Sequence, residues 1–373
     1  MNGTGGQGQD RVKPPEKRTI LGMGNRLVLW FVLFALLPLG LTVLAGHMLL
    51  KVQTEDQTER LMRSLAASMK HDVEHYFEDM SMAFQALSGR RITRAMMDSV
   101  DSERAGERSS SHEIYGTPED IRDEFEITVL PQHLKPESYR DLFMIDTRGV
   151  VTYSKNGGLA KGSDLFGKTY YDTLFSGALK TAMNTDRVVF SDYEYAPQGG
   201  ENVPVAHMVK NLSGVNGETI GLLAVRFDVE GLNRVVGVHA DLGQTFDLYL
   251  CGIDGRLRTD KGKRTVKKAL TPWDLAVGKT REVWGKEDLH SGLNRQATED
   301  GTTMFWVSSP LTVLGVPFMI VAEMEGKDVY AMKDKVWAAL FFLAAILAVV
   351  MAGLAVALAG KITQPVSALG DWA

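Results

Sequence analysis

The sequence predicts an α+β protein in which two tandem modules, preceded by a long stalk helix, lie between two transmembrane helices. Two long apolar stretches, one towards each end, contain no Asp, Glu, Lys or Arg. A stripe of apolar residues at helical spacing follows the first stretch, and two sets of short strand-like runs separated by turns fill the middle. Runs joined by such short turns predict antiparallel sheets.

The composition limits the classes of protein to consider. A chain of 373 residues, 45% of them hydrophobic, holds two ordinary domains besides membrane segments and is not largely disordered. The formal net charge of −5 gives no positive field to attract nucleic acid, so we expect no nucleic-acid partner. The one cysteine, Cys251, forms no disulfide within the chain, and we interpret it as a small buried apolar residue.

The first apolar stretch, residues 27–50, is long enough as a helix to cross a hydrocarbon core of about 30 Å. Residues 1–26 carry five Lys or Arg against Asp10 and Glu16, which predicts a cytoplasmic N-terminal tail. A cleavable signal peptide is the alternative, with Val43 and Ala45 as small residues at the cleavage site. The stretch exceeds the usual apolar region of a signal peptide, about 7 to 15 residues.

The second apolar stretch, residues 336–360, is also uncharged and predicts a second transmembrane helix. Two crossings place residues 51–335 outside the cytoplasmic membrane, in the periplasm or outside the cell, and return residues 361–373 to the cytoplasm. Basic residues flank the second helix evenly, so this topology depends on the N-terminal tail.

The exported region begins with a predicted stalk helix that continues the first membrane helix. Apolar residues in steps of three and four mark one face of this helix: Leu61, Leu65, Met69, Val73, Phe77, Met80, Phe84 and Leu87. Such a stripe packs against a domain or a partner chain. The segment from Asp98 to Asp120 is rich in Ser, Glu and Arg, which predicts an exposed loop.

The strand-like runs form two similar sets. The first comprises DLFMID, VVTYS, RVVFSDYEY, VPVAHMVKNL and GLLAVRFD, and the second comprises FDLYLCGID, RLRTD, TMFWVSSPL and FMIVAEME. Each set contains an apolar strand ending in Ile-Asp (Ile145-Asp146, Ile253-Asp254), followed by a glycine turn. We therefore predict a distal module at about 88–236 and a proximal module at about 237–330.

These segments, in this order, resemble the double Cache sensor domains of bacterial transmembrane receptors. DLFMIDTRGVVTYS, GSDLFGKTYYDTLFSGAL, VFSDYEY, PVAHMVKNL and GETIGLLAVRFDVEGLN resemble the membrane-distal module, whereas LGQTFDLYLCGIDGRLRTD and SSPLTVLGVPFMIVAEME resemble the membrane-proximal module. KITQPVSAL, after the second membrane helix, resembles the start of a HAMP relay. The resemblance implies PAS-like modules, a homodimer, and a cytoplasmic output such as chemotaxis signalling, a histidine kinase or a cyclic dinucleotide enzyme.

Residues 162–169, GSDLFGKT, formally match the phosphate-binding loop G-x-x-x-x-G-K-[ST]. Asp164, Leu165 and Phe166 place a negative charge and bulk where a phosphate would lie, and no parallel α/β alternation surrounds the loop. We predict that this loop binds no nucleotide and leads into a helix that covers a ligand pocket.

The ligand pocket is predicted from strand alternation, which places residues two apart on one face. In GLLAVRFD, Leu222, Ala224, Arg226 and Asp228 share one face, and in VFSDYEY the alternation groups Ser191, Tyr193 and Tyr195. Aromatic rings with a carboxylate and a guanidinium suit a small zwitterion or amine. The predicted ligand-binding residues are Tyr170, Tyr171 and Asp172, on the segment expected to cover the pocket, and Tyr193, Tyr195, Arg226 and Asp228.

The resemblance also bears on the ligand. In amino-acid-binding double Cache domains the covering segment carries Arg and Trp ahead of Tyr and Asp, whereas Lys168 and Thr169 precede Tyr170 here, which puts an amino-acid ligand in doubt. Asp228 matches the position of the family's amine-binding carboxylate, so Asp228→Asn is expected to weaken binding about a hundredfold or more. In the alternative interpretation the tyrosines only pack and Asp228 caps the next turn.

No catalytic or metal motif supports an enzyme. His71 and His75 lie four apart beside Asp72 and Glu78, but a histidine pair without a third ligand favours a solvated helix face. G-x-S-x-G and H-E-x-x-H are absent from the sequence. We expect no cofactor and no metal. The leading hypothesis is the sensory region of a receptor that binds a small molecule; the alternatives are a membrane-anchored extracytoplasmic enzyme and a free-standing sensor subunit whose output lies on a partner protein.

Overall fold

The structure is a computed structural model that describes residues 23–105, 111–198, 200–238, 244–262, 267–273, 292–298 and 301–370. The chain divides into two compact units, one formed by Thr54–Tyr330 and the other by Met1–Gln53 with Ala331–Ala373. The first unit contains both sheets. The predicted cytoplasmic tail, apart from the first residues of helix α1, lies outside the described residues.

Two long helices begin and end the described chain. Helix α1 spans Met23–Ser88, and helix α8 spans Gly326–Gly370, directly after the last strand. Among the described residues, one stretch, Gly326–Leu358, is apolar and long enough to cross a membrane, with a mean hydropathy of 2.8. The HAMP-like segment 361–370 is the helical end of α8, and 371–373 lie outside the described residues.

The predicted stalk is the part of α1 that runs to Ser88. Its apolar stripe is buried from Met69 onward, as predicted, whereas Leu61 is 43% exposed and Met62 takes the buried position instead. The stripe therefore faces the core. The buried stalk residues, which include Met62 and Ala66 from outside the predicted stripe, are Met62, Ala66, Met69, Val73, Phe77, Met80, Phe84 and Leu87.

The prediction of an exposed loop from Asp98 to Asp120 is wrong for most of that segment. Helix α2, Arg91–Ala105, continues through its first part because apolar residues recur there at helical spacing and end in the buried Val100. Residues 106–110 lie outside the described chain. Two short helices follow, α3 (His112–Tyr115) and α4 (Pro118–Asp123), and a capping box at Thr117 starts the second. A π-helical turn (Glu124–Val129), α5 (Leu130–His133) and a 3-10 turn (Pro136–Ser138) lead to the first strand.

The distal sheet has six antiparallel strands in the order β2-β1-β6-β5-β3, with β4 also paired to β5. Helix α6 (Leu174–Ala182) packs on one face, and α7 (Glu230–Gly237) follows the last strand. The stalk side chains share a core with the opposite face. The strands are β1 (Asp141–Ile145), β2 (Val151–Ser154), β3 (Val189–Phe190), β4 (Glu194–Gln198), β5 (Glu201–Ser213) and β6 (Thr219–Asp228).

The proximal sheet has four antiparallel strands in the order β7-β10-β9-β8. The predicted strand RLRTD is wrong as an extended strand, since only isolated pairings form there, between Leu257 and Cys251 and between Arg256 and Pro272. Cys251 is buried, as predicted. The strands are β7 (Asp247–Gly252), β8 (Asn294–Ala297), β9 (Thr303–Val313) and β10 (Val316–Glu325).

Both modules use the same turn chemistry. The Asp146 carboxylate accepts the backbone N–H of Arg148 and of Val150, both at 2.9 Å, and Asp254 accepts that of Arg256 at 3.0 Å. The glycines of these turns, Gly149 and Gly255, have φ of 82° and 74°, a conformation that side chains disfavour. The α+β fold class, with two sheets and a long N-terminal helix, is confirmed.

Candidate ligand site on the distal sheet

A row of three charged or polar side chains crosses the face of the distal sheet that α6 covers. Arg226 lies on the inner strand β6, directly opposite Asp141 on β1 and His207 on β5. Residues directly opposite each other in an antiparallel sheet present their side chains on the same face. All three are at most 2% exposed. The sheet register therefore brings a cation, an anion and an imidazole together in the interior.

The Arg226 guanidinium is held by neutral acceptors. Its Nε donates to His207 Nε2 at 3.0 Å, its Nη1 donates to the Gly158 carbonyl at 3.4 Å, and the Phe143 ring lies 5.0 Å from it. No carboxylate oxygen of the described residues lies within 4.0 Å of its nitrogens. Burial lowers the pKa of Arg226, and the nearby Asp141, Tyr170 and Glu194 side chains offset that shift only in part.

His207 is neutral, and its hydrogen bonds fix the tautomer. Arginine only donates, so His207 Nε2 accepts and Nδ1 carries the proton, 3.4 Å from the Ser191 hydroxyl oxygen. The ring stacks on Phe175 of α6, with centroids 3.8 Å apart and planes at 15°. Burial and the neighbouring Arg226 charge hold the pKa of His207 well below its usual value.

The Asp141 carboxylate accepts four hydrogen bonds from nearby residues. One carboxylate oxygen accepts the backbone N–H of Leu142 (2.7 Å) and of Asn156 (2.8 Å). The other accepts the Ser154 hydroxyl (2.8 Å) and the Gly158 N–H (2.7 Å). A Cβ on Gly158 would lie 2.7 Å from this oxygen and 3.1 Å from Arg226 Nη1, so only glycine fits. Asp141 thus anchors the start of the covering segment, residues 158–173.

Glu194 fixes the other end of the covering segment. Its two oxygens accept the N–H groups of Leu174 (2.8 Å) and Phe175 (2.9 Å), and Thr173 Oγ1 accepts that of Ser176 (3.1 Å). These bonds cap the N-terminus of α6. Burial raises the pKa of Glu194, although the two hydrogen bonds and Arg226 lower it. The cap holds Phe175 on the His207 ring.

The predicted residues Arg226 and Tyr170 come together at this site. Tyr170 is half-buried among the side chains under α6, close enough for its hydroxyl to affect the pKa of Arg226. Tyr171 and Asp172 lie on the outer side: Tyr171 is 60% exposed and its ring lies 4.1 Å from Lys180 Nζ.

The predicted grouping of Ser191, Tyr193 and Tyr195 on one face is wrong. Strand β3 ends at Phe190 and β4 begins at Glu194, so no continuous strand alternation runs between them. Tyr193 packs against Phe190 and Phe227 on the stalk side of the sheet. Its hydroxyl is buried without a hydrogen-bond partner among the described residues. Tyr195 is 50% exposed, and its hydroxyl lies 3.4 Å from the Ala269 carbonyl of the proximal module.

Asp228 lies in a separate cleft of about 540 Å³ beside α7. It forms an ion pair with Arg140 and accepts the Glu230 N–H at 3.0 Å, so it caps the turn into α7. Arg140 also pairs with Glu230 at 2.8 Å. The arrangement matches the alternative interpretation of Asp228, in which its carboxylate serves the structure.

Residues 162–169, whose sequence matches the phosphate-binding pattern, do not form a phosphate-binding loop. Asp164 accepts the N–H groups of Phe166 (2.9 Å) and Gly167 (3.0 Å), which are the amides that would face a phosphate. No helix follows Thr169 directly; α6 starts at Leu174. That nucleotide does not bind there remains a prediction.

The other candidate site of the sequence, the stalk histidines, is solvated. His75 Nδ1 lies 3.0 Å from Asp79 Oδ2, and both side chains are more than half exposed. Within the described residues, no group of three or more His, Cys, Asp or Glu is placed to hold a metal ion.

Asp141, His207 and Glu194 were not among the residues predicted from the sequence. Asp141 begins an apolar run and His207 lies inside one, so a polar side chain at a buried strand position was the available signal. The cross-strand register was needed to place them opposite Arg226.

One ion pair joins this site to the proximal module. Arg258, 2% exposed, donates to Asp192 through Nε (2.7 Å) and Nη2 (2.6 Å), and to Asp254 at 3.0 Å. Asp192 directly follows Ser191, whose hydroxyl is 3.4 Å from His207 Nδ1. A chain of contacts therefore runs from Arg226 to the proximal module.

No family model and no curated protein matches this chain. Several solved structures match it. The periplasmic sensory domain of the Campylobacter jejuni chemoreceptor Tlp1 is 13% identical, with a TM-score of 0.50, over 74% of this chain and 98% of that domain. The ligand-binding domain of C. jejuni Tlp3 in complex with L-norvaline is 11% identical, with a TM-score of 0.48, over 74% and 94%.

An extracellular ligand-binding receptor from Desulfohalobium retbaense is 10% identical, with a TM-score of 0.45, over 70% of this chain and 40% of that one. This chain thus spans less than half the length of that receptor. With its two antiparallel sheets behind a long N-terminal helix, the chain has the fold of the double Cache sensory domains of chemoreceptors.

Proposed function

We propose that this chain is the sensory region of a transmembrane receptor and that its distal module binds a small molecule beneath the covering segment. The observation that carries the proposal is the buried Arg226, aligned across the sheet with His207 and held under a segment that is tied down at both ends. Buried charges in proteins are ordinarily paired, so a cation held by neutral groups under a cover is a candidate ligand contact.

The proposed signal leaves the site through Asp192 and Arg258. Ser191 accepts the His207 N–H at 3.0 Å and donates its own N–H to the His207 carbonyl at 2.8 Å, so the two residues move together. Asp192 then holds Arg258 of the proximal module, whose strand β10 ends at Glu325, where α8 begins. A ligand shifts such a linkage only by binding its two arrangements with different affinity.

The membrane arrangement is part of the proposal. Helix α1 and helix α8 each cross the cytoplasmic membrane once, residues 51–335 lie outside, and both termini lie in the cytoplasm. Exposed apolar side chains along both helices support this, for example Phe34 (72%) and Phe342 (69%). The chain forms a homodimer, and residues 361–373 begin a HAMP-like relay to a cytoplasmic output.

Cysteine labelling in intact cells tests this topology. With Cys251 replaced, a membrane-impermeant thiol reagent is expected to label Ser110→Cys and to spare Thr4→Cys. The opposite pattern would contradict the topology and the receptor function that depends on it.

A ligand screen tests the sensory role. Full-length protein in detergent is screened by thermal unfolding against amino acids, amines and carboxylates, and calorimetry measures the best hit. We expect a compound that raises the unfolding temperature and is recovered unchanged. A screen in which no compound stabilises the protein would contradict the proposed function.

The enzyme alternative has one specific observation, the contact between Ser191 and His207. A serine nucleophile needs an unprotonated histidine nitrogen facing its hydroxyl. His207 Nδ1, which faces Ser191, carries the proton because Nε2 accepts from Arg226. Both residues are at most 4% exposed. The geometry therefore favours binding over nucleophilic catalysis.

A further inference from the structure

We infer that the ligand of the distal module presents a carboxylate to Arg226. This inference rests on the proposed function and names the chemical class of the ligand. It differs from the expectation drawn from the sequence, in which a ligand amine meets Asp228.

Arg226 differs from the other buried cations in having no carboxylate partner among the described residues. Four Lys or Arg side chains of the described residues are buried, and three of them have a carboxylate partner: Lys210 with Asp186, Arg258 with Asp192, and Lys261 with Glu323. Arg226 is the exception within that set. A buried charge is costly unless it is paired, so this exception needs an explanation.

Arg226 also has N–H donors that no acceptor of the described residues uses. A guanidinium has five N–H groups, and Arg226 donates one to His207 and one to Gly158. The remaining three have no acceptor among the described residues. Two N–H groups at adjacent nitrogens match the two oxygens of a carboxylate, and such charge-assisted pairs are roughly twice as strong as neutral ones.

Neither neighbouring carboxylate, Asp141 or Glu194, is available to pair with Arg226. Asp141 would lose hydrogen bonds to Leu142, Ser154, Asn156 and Gly158 if it turned to Arg226. Glu194 would release both N–H groups at the start of α6. The charge partner of Arg226 is therefore supplied by the ligand.

The surroundings define the rest of the ligand. Phe143 and Phe175 lie beside Arg226 and His207 and offer apolar contact. Asp228 is paired with Arg140, so its carboxylate is already neutralised when no amine is bound. The geometry suits a small carboxylate with an apolar body and requires no amine. Because Arg226 is 2% exposed, the covering segment must move to admit it.

The test compares each acid with its own amide. Full-length protein in detergent is titrated with propionate, benzoate, L-alanine and L-phenylalanine, and in parallel with propionamide, benzamide, L-alaninamide and L-phenylalaninamide. We expect at least one acid to raise the unfolding temperature while its amide binds at least tenfold more weakly. The comparison needs no variant, so it holds even if a substitution in the core impairs folding.

Arg226→Gln is then titrated with the acid that binds, and Lys180→Gln, on the outer side of α6, is the matched control. The expected result is at least tenfold weaker binding in Arg226→Gln and unchanged binding in Lys180→Gln. A compound that binds equally well as acid and amide, or equally well to Arg226→Gln, overturns the carboxylate inference and leaves the proposed function standing. If none of these eight acids and amides raises the unfolding temperature but an amine or a neutral compound from the ligand screen does, the carboxylate inference is overturned and the proposed function stands. If no compound of either set raises the unfolding temperature, both proposals are contradicted.

Discussion

Arg226 in the distal module and Arg258 in the proximal module lie in similar surroundings, but Arg226 donates to neutral acceptors and Arg258 donates to carboxylates. Each is 2% exposed and lies near a phenylalanine ring, Phe143 at 5.0 Å and Phe318 at 6.0 Å. Each also lies next to a glycine: a Cβ on Gly158 would lie 3.1 Å from Arg226 Nη1, a tight contact, and a Cβ on Gly252 would lie 2.1 Å from Arg258 Nη2, a clash. The same type of side chain is therefore buried in the same way twice.

The two arginines differ in how far nearby groups compensate their buried charge. Burial lowers the pKa of both arginines, but the hydrogen bonds and charges of Asp192 and Asp254 raise the pKa of Arg258 above its usual value, whereas that of Arg226 stays lowered. A buried cation with two carboxylates stabilises the junction between modules. Arg226 has no carboxylate partner of this kind among the described residues, and under the proposed function its charge is available to a ligand. On this proposal Arg258 is a structural arginine and Arg226 is a ligand-binding arginine.

The largest expected effect is that of Asp192→Asn. The substitution leaves Arg258 buried with Asp254 as its one remaining carboxylate, and breaking a buried pair typically costs about 3 to 5 kcal/mol. We expect a large fall in the unfolding temperature of the full-length protein. Asp254→Asn is the control, because this side chain is 43% exposed and should cost much less. Equal effects would contradict the structural role given to Asp192.

A smaller effect is expected from Glu194→Ala, which removes the acceptor for two N–H groups of α6. Losing a helix cap costs about 0.5 to 2 kcal/mol. Amide hydrogen exchange should increase at Leu174 and Phe175. The exposed Glu201→Ala is the control, with no change expected at α6. Unchanged protection of those amides in Glu194→Ala would show that the carboxylate does not hold the helix.

A pH-dependent effect is expected from His207. Its folded pKa lies well below the ordinary 6.5, so the unfolded chain takes up the proton first as the pH falls. This group's contribution to stability is therefore present above about pH 6.5 and declines below it. His207→Asn removes the contribution, and the unfolding temperature of the variant should fall less between pH 7.5 and pH 5.5 than that of the wild type. Parallel pH profiles would rule out a buried neutral His207.

Much of the fold was predictable because local pattern determines it. The strands β5 and β6, the hairpin between them and the stalk helix follow from alternation, turn residues and helical spacing. The prediction of a loop after Asp98 failed because helix α2 is polar on its exposed face and is stabilised by one stripe of buried apolar residues. The strand prediction at Arg256–Asp260 failed because two isolated pairings replace a ladder there.

The site was less predictable, because it depends on register between distant strands. Arg226 and Tyr170 were found from the pattern, but His207 and Asp141 lie opposite Arg226 only once β1, β6 and β5 are aligned. Alternation through Ser191 and Tyr193 failed because the chain leaves β3 at Phe190 and enters β4 at Glu194. A period of two holds only within an unbroken strand.

The most direct test of the comparison replaces each arginine by methionine and measures thermal unfolding of the full-length protein without ligand. Arg258→Met leaves Asp192 and Asp254 without their cation and should lower the unfolding temperature clearly. Arg226→Met removes a poorly compensated buried charge but leaves the His207 and Gly158 acceptors without a donor, which costs about 1 to 3 kcal/mol, so we expect a clearly smaller fall than for Arg258→Met. If Arg226→Met lowers the unfolding temperature as much as Arg258→Met, the Arg226 charge is structural and the proposed division between the two modules is wrong.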